Sequence, residues 1–169
     1  MRKLLLVVGV FVVALLLFLG YARVFGFNPS AVAPGLWVKG EEVTDRITDW
    51  SFGASVKGLT AVETRQWFAP FIAHSVTTTR FHFKDQMYLA SGYPAGIKIP
   101  DGRHWNRNVL ADPHIRVRLG NKIYPVKLRY VEDGPKRQEL LTAFGQMFFA
   151  PGFFLHVWQV EPDDEGRTK

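Results

Sequence analysis

The sequence contains no cysteine, so no disulfide can hold the fold and no thiolate is available to a zinc site. It has no Gly-x-Ser-x-Gly turn, which excludes the nucleophile-elbow hydrolases. No Gly-rich loop ends in Gly-Lys-Ser/Thr, so phosphate binding of the P-loop kind is excluded as well. The five histidines, His74, His82, His104, His114 and His156, show no His-Glu-x-x-His or similar paired spacing, and no metal site is read from them. Internal repeats and low-complexity tracts are missing. So is a clustered basic stripe, and nucleic acid is therefore not an expected partner. The net charge is +6. Arg2, Lys3 and Arg23 stand among residues 1–33 without a single acid, which leaves +3 for the remainder. That is ordinary solubility charge with a leaning toward anionic ligands.

What is present begins with a charge-free apolar run from Leu4 to Ala22. Its length matches the ~20 residues that cross a bilayer core. With every face apolar it does not suit a soluble helix. Residues 1–24 read as a transmembrane anchor, with a cleavable signal peptide as the alternative, Gly20 and Ala22 standing at the −3 and −1 positions. Two cations precede the run and only Arg23 closely follows it, so the positive-inside rule puts the domain on the extracytoplasmic (periplasmic) side of a single-pass protein. Residues 25–35, with Pro29, Pro34 and Gly35, read as a linker. The domain follows over 36–161, and 162–169 form a polar tail.

Within the domain, short segments are expected at Leu36–Val43, Ile47–Phe52 and Leu59–Phe68, with Trp50 either a core anchor between strands or a wall of a ligand pocket. Ala73–Phe83 and Gln86–Ser91 form a hairpin turning at Lys84-Asp85. Residues 92–102, rich in glycine and proline, make a long loop of the kind that carries binding residues. Asp133-Gly134-Pro135 starts a helix whose Leu140, Leu141, Phe144, Met147 and Phe148 cover the barrel, until Pro151-Gly152 ends it. Phe153–Val160 is apolar on both faces, as a strand buried at a barrel or dimer seam would be.

The centre of the chain is residues 103–131. Asp101 caps a short helix and Pro113 ends it. Ile115, Val117 and Leu119 then alternate with Arg116 and Arg118, and Gly120-Asn121 supplies a two-residue turn. This sets Val117 opposite Tyr124 and Ile115 opposite Val126, with the apolar sets on one face. The Trp105 turn of the helix and the arginine-bearing ribbon after it are expected to floor an anion-accepting cleft. Few helices and many short strands favour an antiparallel barrel over a sandwich.

The stretch Trp105-Asn106-Arg107-Asn108-Val109-Leu110-Ala111-Asp112-Pro113, followed by Ile115-Arg116-Val117-Arg118-Leu119, resembles the short helix and next strand of the FMN-binding split-barrel superfamily. The superfamily is typified by pyridoxamine-phosphate oxidases and deazaflavin-dependent nitroreductase/quinone reductases. The order of elements from about Val43 to Val160 is similar too. The Gly-Arg-x-Ser-Gly signature common in the deazaflavin group is absent, and Thr77-Thr78-Thr79-Arg80-Phe81 stands where it would lie.

The resemblance implies a mainly β (α+β) fold, an antiparallel split β-barrel with short helices behind the N-terminal transmembrane helix. It further implies a homodimer, with FMN or a deazaflavin coenzyme held at the interface for hydride or electron transfer to a small oxidised substrate. It places Thr77, Thr78, Thr79 and Ser91 along the strands bordering that cofactor, and Trp105 and a polar neighbour beside it. Asn108, three positions on, shares the Trp105 side better than Asn106 does. Lys98, Arg103 and Arg107 are the candidate phosphate donors, two of them one helical turn apart. No catalytic residue is named. The alternative is a barrel that keeps the fold without catalysis, a binding or interaction module at the membrane.

Overall fold

The computed structural model describes residues 1–94, 96–145 and 153–164. The chain forms α1 (Arg2–Phe25), β1 (Glu41–Glu42), a 3-10 turn (Ser51–Ser55), β2 (Thr60–Gln66), β3 (Ala69–Phe83), β4 (Gln86–Pro94) and α2 (His104–Ala111). There follow β5 (His114–Leu119), β6 (Lys122–Tyr130), α3 (Pro135–Leu140) widening into a π turn (Leu141–Gly145), and β7 (Phe153–Pro162). The positions of Met147 and Phe148, the stop at Pro151-Gly152 and the tail beyond Asp164 lie outside the described residues.

The sheet runs β6-β5-β2-β3-β4-β7 and closes because β7 pairs with β6 as well. All six barrel strands are antiparallel to their neighbours. This is the antiparallel split barrel with short helices expected from the sequence. It is preceded by α1, a helix of 24 residues with none of its most apolar window buried. At 1.5 Å per residue such a helix reaches ~36 Å, enough to cross a ~30 Å hydrocarbon core. It is a candidate transmembrane span.

The β5–β6 hairpin has the expected register, Val117 opposite Tyr124 and Ile115 opposite Val126. Gly120 takes φ +60° in the turn, a left-handed value that costs glycine little. The inward residues of this hairpin join Trp50, Leu89, Trp105 and Trp158 in the barrel interior. A second cluster, Phe81, Tyr88, Leu155 and Val157, lies outside the barrel wall under Leu140 and Phe144 of α3 and its π turn. Strand β7 therefore buries both faces within one protomer, Trp158 and Val160 inward and Leu155 and Val157 outward. No second copy is needed to cover it.

One local expectation is corrected and two are made specific. The 47–52 segment is not a strand: the Asp49 carboxylate accepts the Ser51 N–H at 2.8 Å and starts the 3-10 turn. Such a side-chain turn competes with extended backbone. Trp50 is a core anchor, 1% exposed, with its ring 5.4 Å from Tyr124 and edge-on to it. Helix α2 begins at His104 rather than at an Asp101 cap, with Arg103 in the capping position and no side-chain cap. Gly102, at φ +95°, turns the chain too sharply for helix to start earlier.

The 25–35 stretch does not hang free. Phe27 N–H donates to Trp37 O at 2.9 Å and Leu36 N–H to Phe27 O at 2.8 Å, which makes a hairpin. Gly35 exchanges both backbone bonds with Ser75 of β3, at 2.8 and 3.0 Å. Ala22 at the end of α1 is fully buried, and Arg23 sits over the Trp37 ring. The segment joining helix and barrel is thus a strap laid on β3.

Candidate functional site

Strands β3 and β4 pair only from Thr79↔Ala90 to Phe83↔Gln86. Beyond that point β4 leaves β3 to follow β7, from Ser91↔His156 onward. The split leaves β3 residues 74–78 with backbone groups on a free side. Ser75 gives its pair to Gly35 of the strap, and Thr78 Oγ1 donates to Ala90 O at 2.9 Å across the mouth of the split.

A cleft of about 410 Å³ occupies the gap. This is within the ~300–1,000 Å³ of small-molecule sites. Its walls are the strap (Ser30–Pro34), β3 (His74 and Val76–Thr79), β4 (Ala90–Gly92) and the start of α2 (Gly102–Trp105). Of the residues expected at the site, Thr77, Thr78, Thr79, Ser91, Arg103 and Trp105 meet here. Lys98, Arg107 and Asn108 do not. Lys98 is exposed away from the cleft. Arg107 Nη2 donates to Asp101 Oδ1 at 3.1 Å, so its charge is matched on the outer face of α2.

Asn108 is wholly buried. Its amide donates to Thr64 Oγ1 at 2.8 Å and its carbonyl accepts from Trp67 N–H at 3.2 Å, tying α2 to the β2–β3 hairpin. The arginine-bearing ribbon is also elsewhere. Arg116 pairs with the buried Glu63 at 3.0 Å and Arg118 donates to Lys39 O, both on the outer barrel wall. Only the Trp105 half of the expected floor faces the cleft.

Sequence reading missed the strap, His74, and the network that sets the 97–103 loop. In that network Asn106 is fully buried. An indole nitrogen can only donate, so Trp158 Nε1 at 3.3 Å fixes Asn106 Oδ1 as acceptor. The Asn106 amide then donates to Tyr93 Oη and to His156 Nδ1, both at 3.0 Å. His156 consequently carries its proton on Nε2 and donates to Ile97 O at 2.9 Å. Tyr93 Oη also accepts Arg103 N–H at 2.9 Å. The backbone that presents Arg103 to the cleft is thereby held at both ends of its loop.

Charge in the cleft is one-sided. Among the described residues the lining holds Arg103, His74 and His104 and no carboxylate. Arg103 has no ion-pair partner among the described residues. The His74 and His104 rings stand 5.3 Å apart. Burial, and then His104, push His74 below the ordinary imidazole range. Among the described residues no three His, Asp or Glu side chains gather as a metal site.

His156 is also held below its ordinary value, first by burial, and its Ile97 bond only partly offsets this. Protonation would set an Nδ1–H against the Asn106 N–H. Below about pH 6.5 the unfolded chain therefore binds more protons than the folded one, and stability present above that pH is lost as pH falls. We expect the unfolding free energy in detergent to drop between about pH 7 and 5, with His156→Gln flattening part of the slope. An unchanged slope in that variant would remove His156 as a source.

No protein-family model matches the chain, and no curated protein matches it. Solved structures do. A Listeria innocua protein described as a pyridoxamine 5'-phosphate oxidase is similar over 63% of this chain and 85% of its own, at 17% identity and a TM-score of 0.44. An F420-H2 dependent reductase, FDR-A, is similar over 61% of this chain and 93% of its own, at 21% identity and 0.42. A NimC/NimA family protein from Clostridium acetobutylicum covers 61% and 73%, at 11% identity and 0.43. At these identities the likeness is one of backbone architecture.

Proposed function

We propose that this is a membrane-anchored split-barrel protein that binds FMN or a deazaflavin in the cleft at the split and passes hydride or electrons to a small oxidised substrate. The supporting observation is the cleft itself: among the described residues, no carboxylate on its lining and Arg103 without an ion-pair partner, with hydroxyl side chains around the Trp105 wall. Arg103 would hold the phosphate, with Thr79 and Ser91 as further donors, and the strap would cover the ring and exclude water. The bound ring would supply the redox chemistry, and the chain's part is to bind, orient and shield it.

Anchoring is through α1, with residues 36–161 as the barrel domain on the extracytoplasmic side. The exposed aromatics Trp67, Phe68 and Phe71 at the β2–β3 tip suit a homodimer contact. A reporter fused after Lys169 reads the side of the membrane, and sedimentation of the micellar protein reads the dimer. A reporter active in the cytoplasm, or a monomer at all concentrations, would overturn these two assignments.

The test of the site is titration of the full chain in detergent with FMN and with F420, followed by absorption and fluorescence. Arg103→Ala should weaken binding about tenfold or more, the worth of one charged hydrogen bond. Arg107→Ala, already matched by Asp101, should change it less than about twofold. No binding of either cofactor would overturn the reading. It would leave the non-enzymatic module, which one observation favours: Thr77 and Thr78 spend their hydroxyls on the chain's own Ser30 and Ala90 carbonyls.

A further inference from the structure

We infer that His74 and His104 form a proton-taking half of the anion site, so that a phosphate-type dianion enters the cleft together with a proton. The inference rests on the cleft being the ligand site, as proposed above, and it names the ligand's charge and how that charge is met.

The two imidazoles come from separate elements, β3 and α2, and meet edge-on with centroids 5.3 Å apart. Both line the cleft beside Arg103. His74 Nδ1 is buried and has no hydrogen-bond partner. A polar atom left so in a native structure calls for a reason, and a missing ligand is one.

Among the described residues, the surroundings contain nothing else that titrates near neutrality. The strap contributes Ser30 and small apolar residues, β4 contributes Ser91 between Ala90 and Gly92, and β3 contributes threonines. From the hairpin tip Phe68 packs on His104, and from β2 the Thr64 hydroxyl donates to His74 O. The only other charged group on the described lining is Arg103, a cation. The nearby acids are engaged outside the cleft, Asp101 by Arg107 and Asp112 by Arg65.

Burial, and then the His104 ring, disfavour a proton on His74 where no counter-charge stands beside it. A dianion bound beside the two rings supplies that counter-charge, and by linkage whatever raises the pair's proton affinity binds more tightly as pH falls. Imidazoles make that exchange near neutrality.

Flavin phosphates change charge in the same range, so the probe is sulfate, which remains a dianion throughout. The full chain in detergent is titrated with sulfate by calorimetry in two buffers of different ionisation enthalpy, with the histidine Cε1–H resonances followed in parallel. We expect uptake of a substantial fraction of a proton near neutrality, and affinity about tenfold higher at about pH 6 than at about pH 8. The two assigned resonances should titrate later in sulfate. In the His74→Gln/His104→Gln variant, sulfate binding through Arg103 should be weaker and independent of pH.

Sulfate binding without proton exchange, a pH dependence that survives in the double variant, or no sulfate binding would each overturn the inference. The outcomes separate it from the cofactor reading. Proton-linked sulfate binding with no FMN or F420 binding sinks that reading and keeps this one. Cofactor binding with pH-independent sulfate binding does the reverse.

Discussion

Gly102→Ala is expected to destabilise the protein by about 3 kcal/mol and to abolish cofactor binding in the cleft. Two separate costs add. Gly102 holds φ +95°, a conformation that costs a residue with a Cβ about 1 kcal/mol or more. The added Cβ would also overlap the Tyr93 ring, lying 2.7 Å from its Cδ1 and Cζ. Tyr93 is 4% exposed and anchored through its hydroxyl to Arg103 N–H and Asn106, so it has little room to yield. Overpacking of this kind costs about 1–3 kcal/mol.

Gly96→Ala is the control, because Gly96 has φ +96° and a Cβ added there would meet nothing within 4 Å. It should lose only the conformational share, about 1 kcal/mol, and should bind normally. Equal denaturation midpoints for the two variants would show that the Tyr93 contact is not rigid.

That residue also shows where sequence reasoning stops. A glycine in a loop is legible as a turn, but nothing local says that an aromatic ring from another strand closes over it. The β5–β6 hairpin was legible because alternation and a two-residue turn fix register within a single short window. The burial of both faces of β7 was legible from its two largely apolar faces, but not the reason. One face meets the barrel interior and the other α3, and this is a fact of topology.

The strap was not legible. Ser30 to Gly35 docks on β3 through the Gly35–Ser75 backbone pair and the Thr77 hydroxyl donated to Ser30 O, and small residues beside prolines give the same pattern as a free linker. The arginines misled for a related reason. Arg107, Arg116 and Arg118 spend their donors on the protein itself: Arg107 on Asp101, Arg116 on Glu63, and Arg118 on the Lys39 carbonyl. Guanidinium groups suit this internal bracing as well as they suit phosphate, and a sequence does not separate the two uses. Thr77–Thr79, Ser91, Arg103 and Trp105, expected together from the family resemblance, do line one cleft. Asn108, expected beside them, is instead tied to Thr64, and Asn106 to His156, partners 40 or more positions away that no local pattern announces.

Asn106→Leu should cost about 3–5 kcal/mol although leucine nearly fills the same space. The substitution leaves Trp158 Nε1–H and His156 Nδ1 without partners in a site from which water is excluded, and each buried unsatisfied group costs about 1–3 kcal/mol. Tyr93 keeps Arg103 N–H, so its loss is smaller. Asn106→Asp separates the polar contribution from the volume. Its carboxylate still accepts from Trp158, but toward His156 it offers an acceptor where the amide offered a donor. The imidazole must then either shift its proton to Nδ1 and release Ile97 O, or take a second proton and keep both contacts. A carboxylate beside it favours the second course.

Near neutrality Asn106→Asp should therefore be nearly as unstable as the leucine variant, because ionising a buried carboxylate is itself costly. As pH falls toward about 5 it should recover relative to wild type, because the His156 proton is now bound more tightly in the folded state and stability from a raised value is present below the unfolded one. Denaturation midpoints of the three proteins across that range decide the matter. If the aspartate and leucine variants run parallel at every pH, His156 does not face position 106 with its Nδ1, and the loop that presents Arg103 is held by something else.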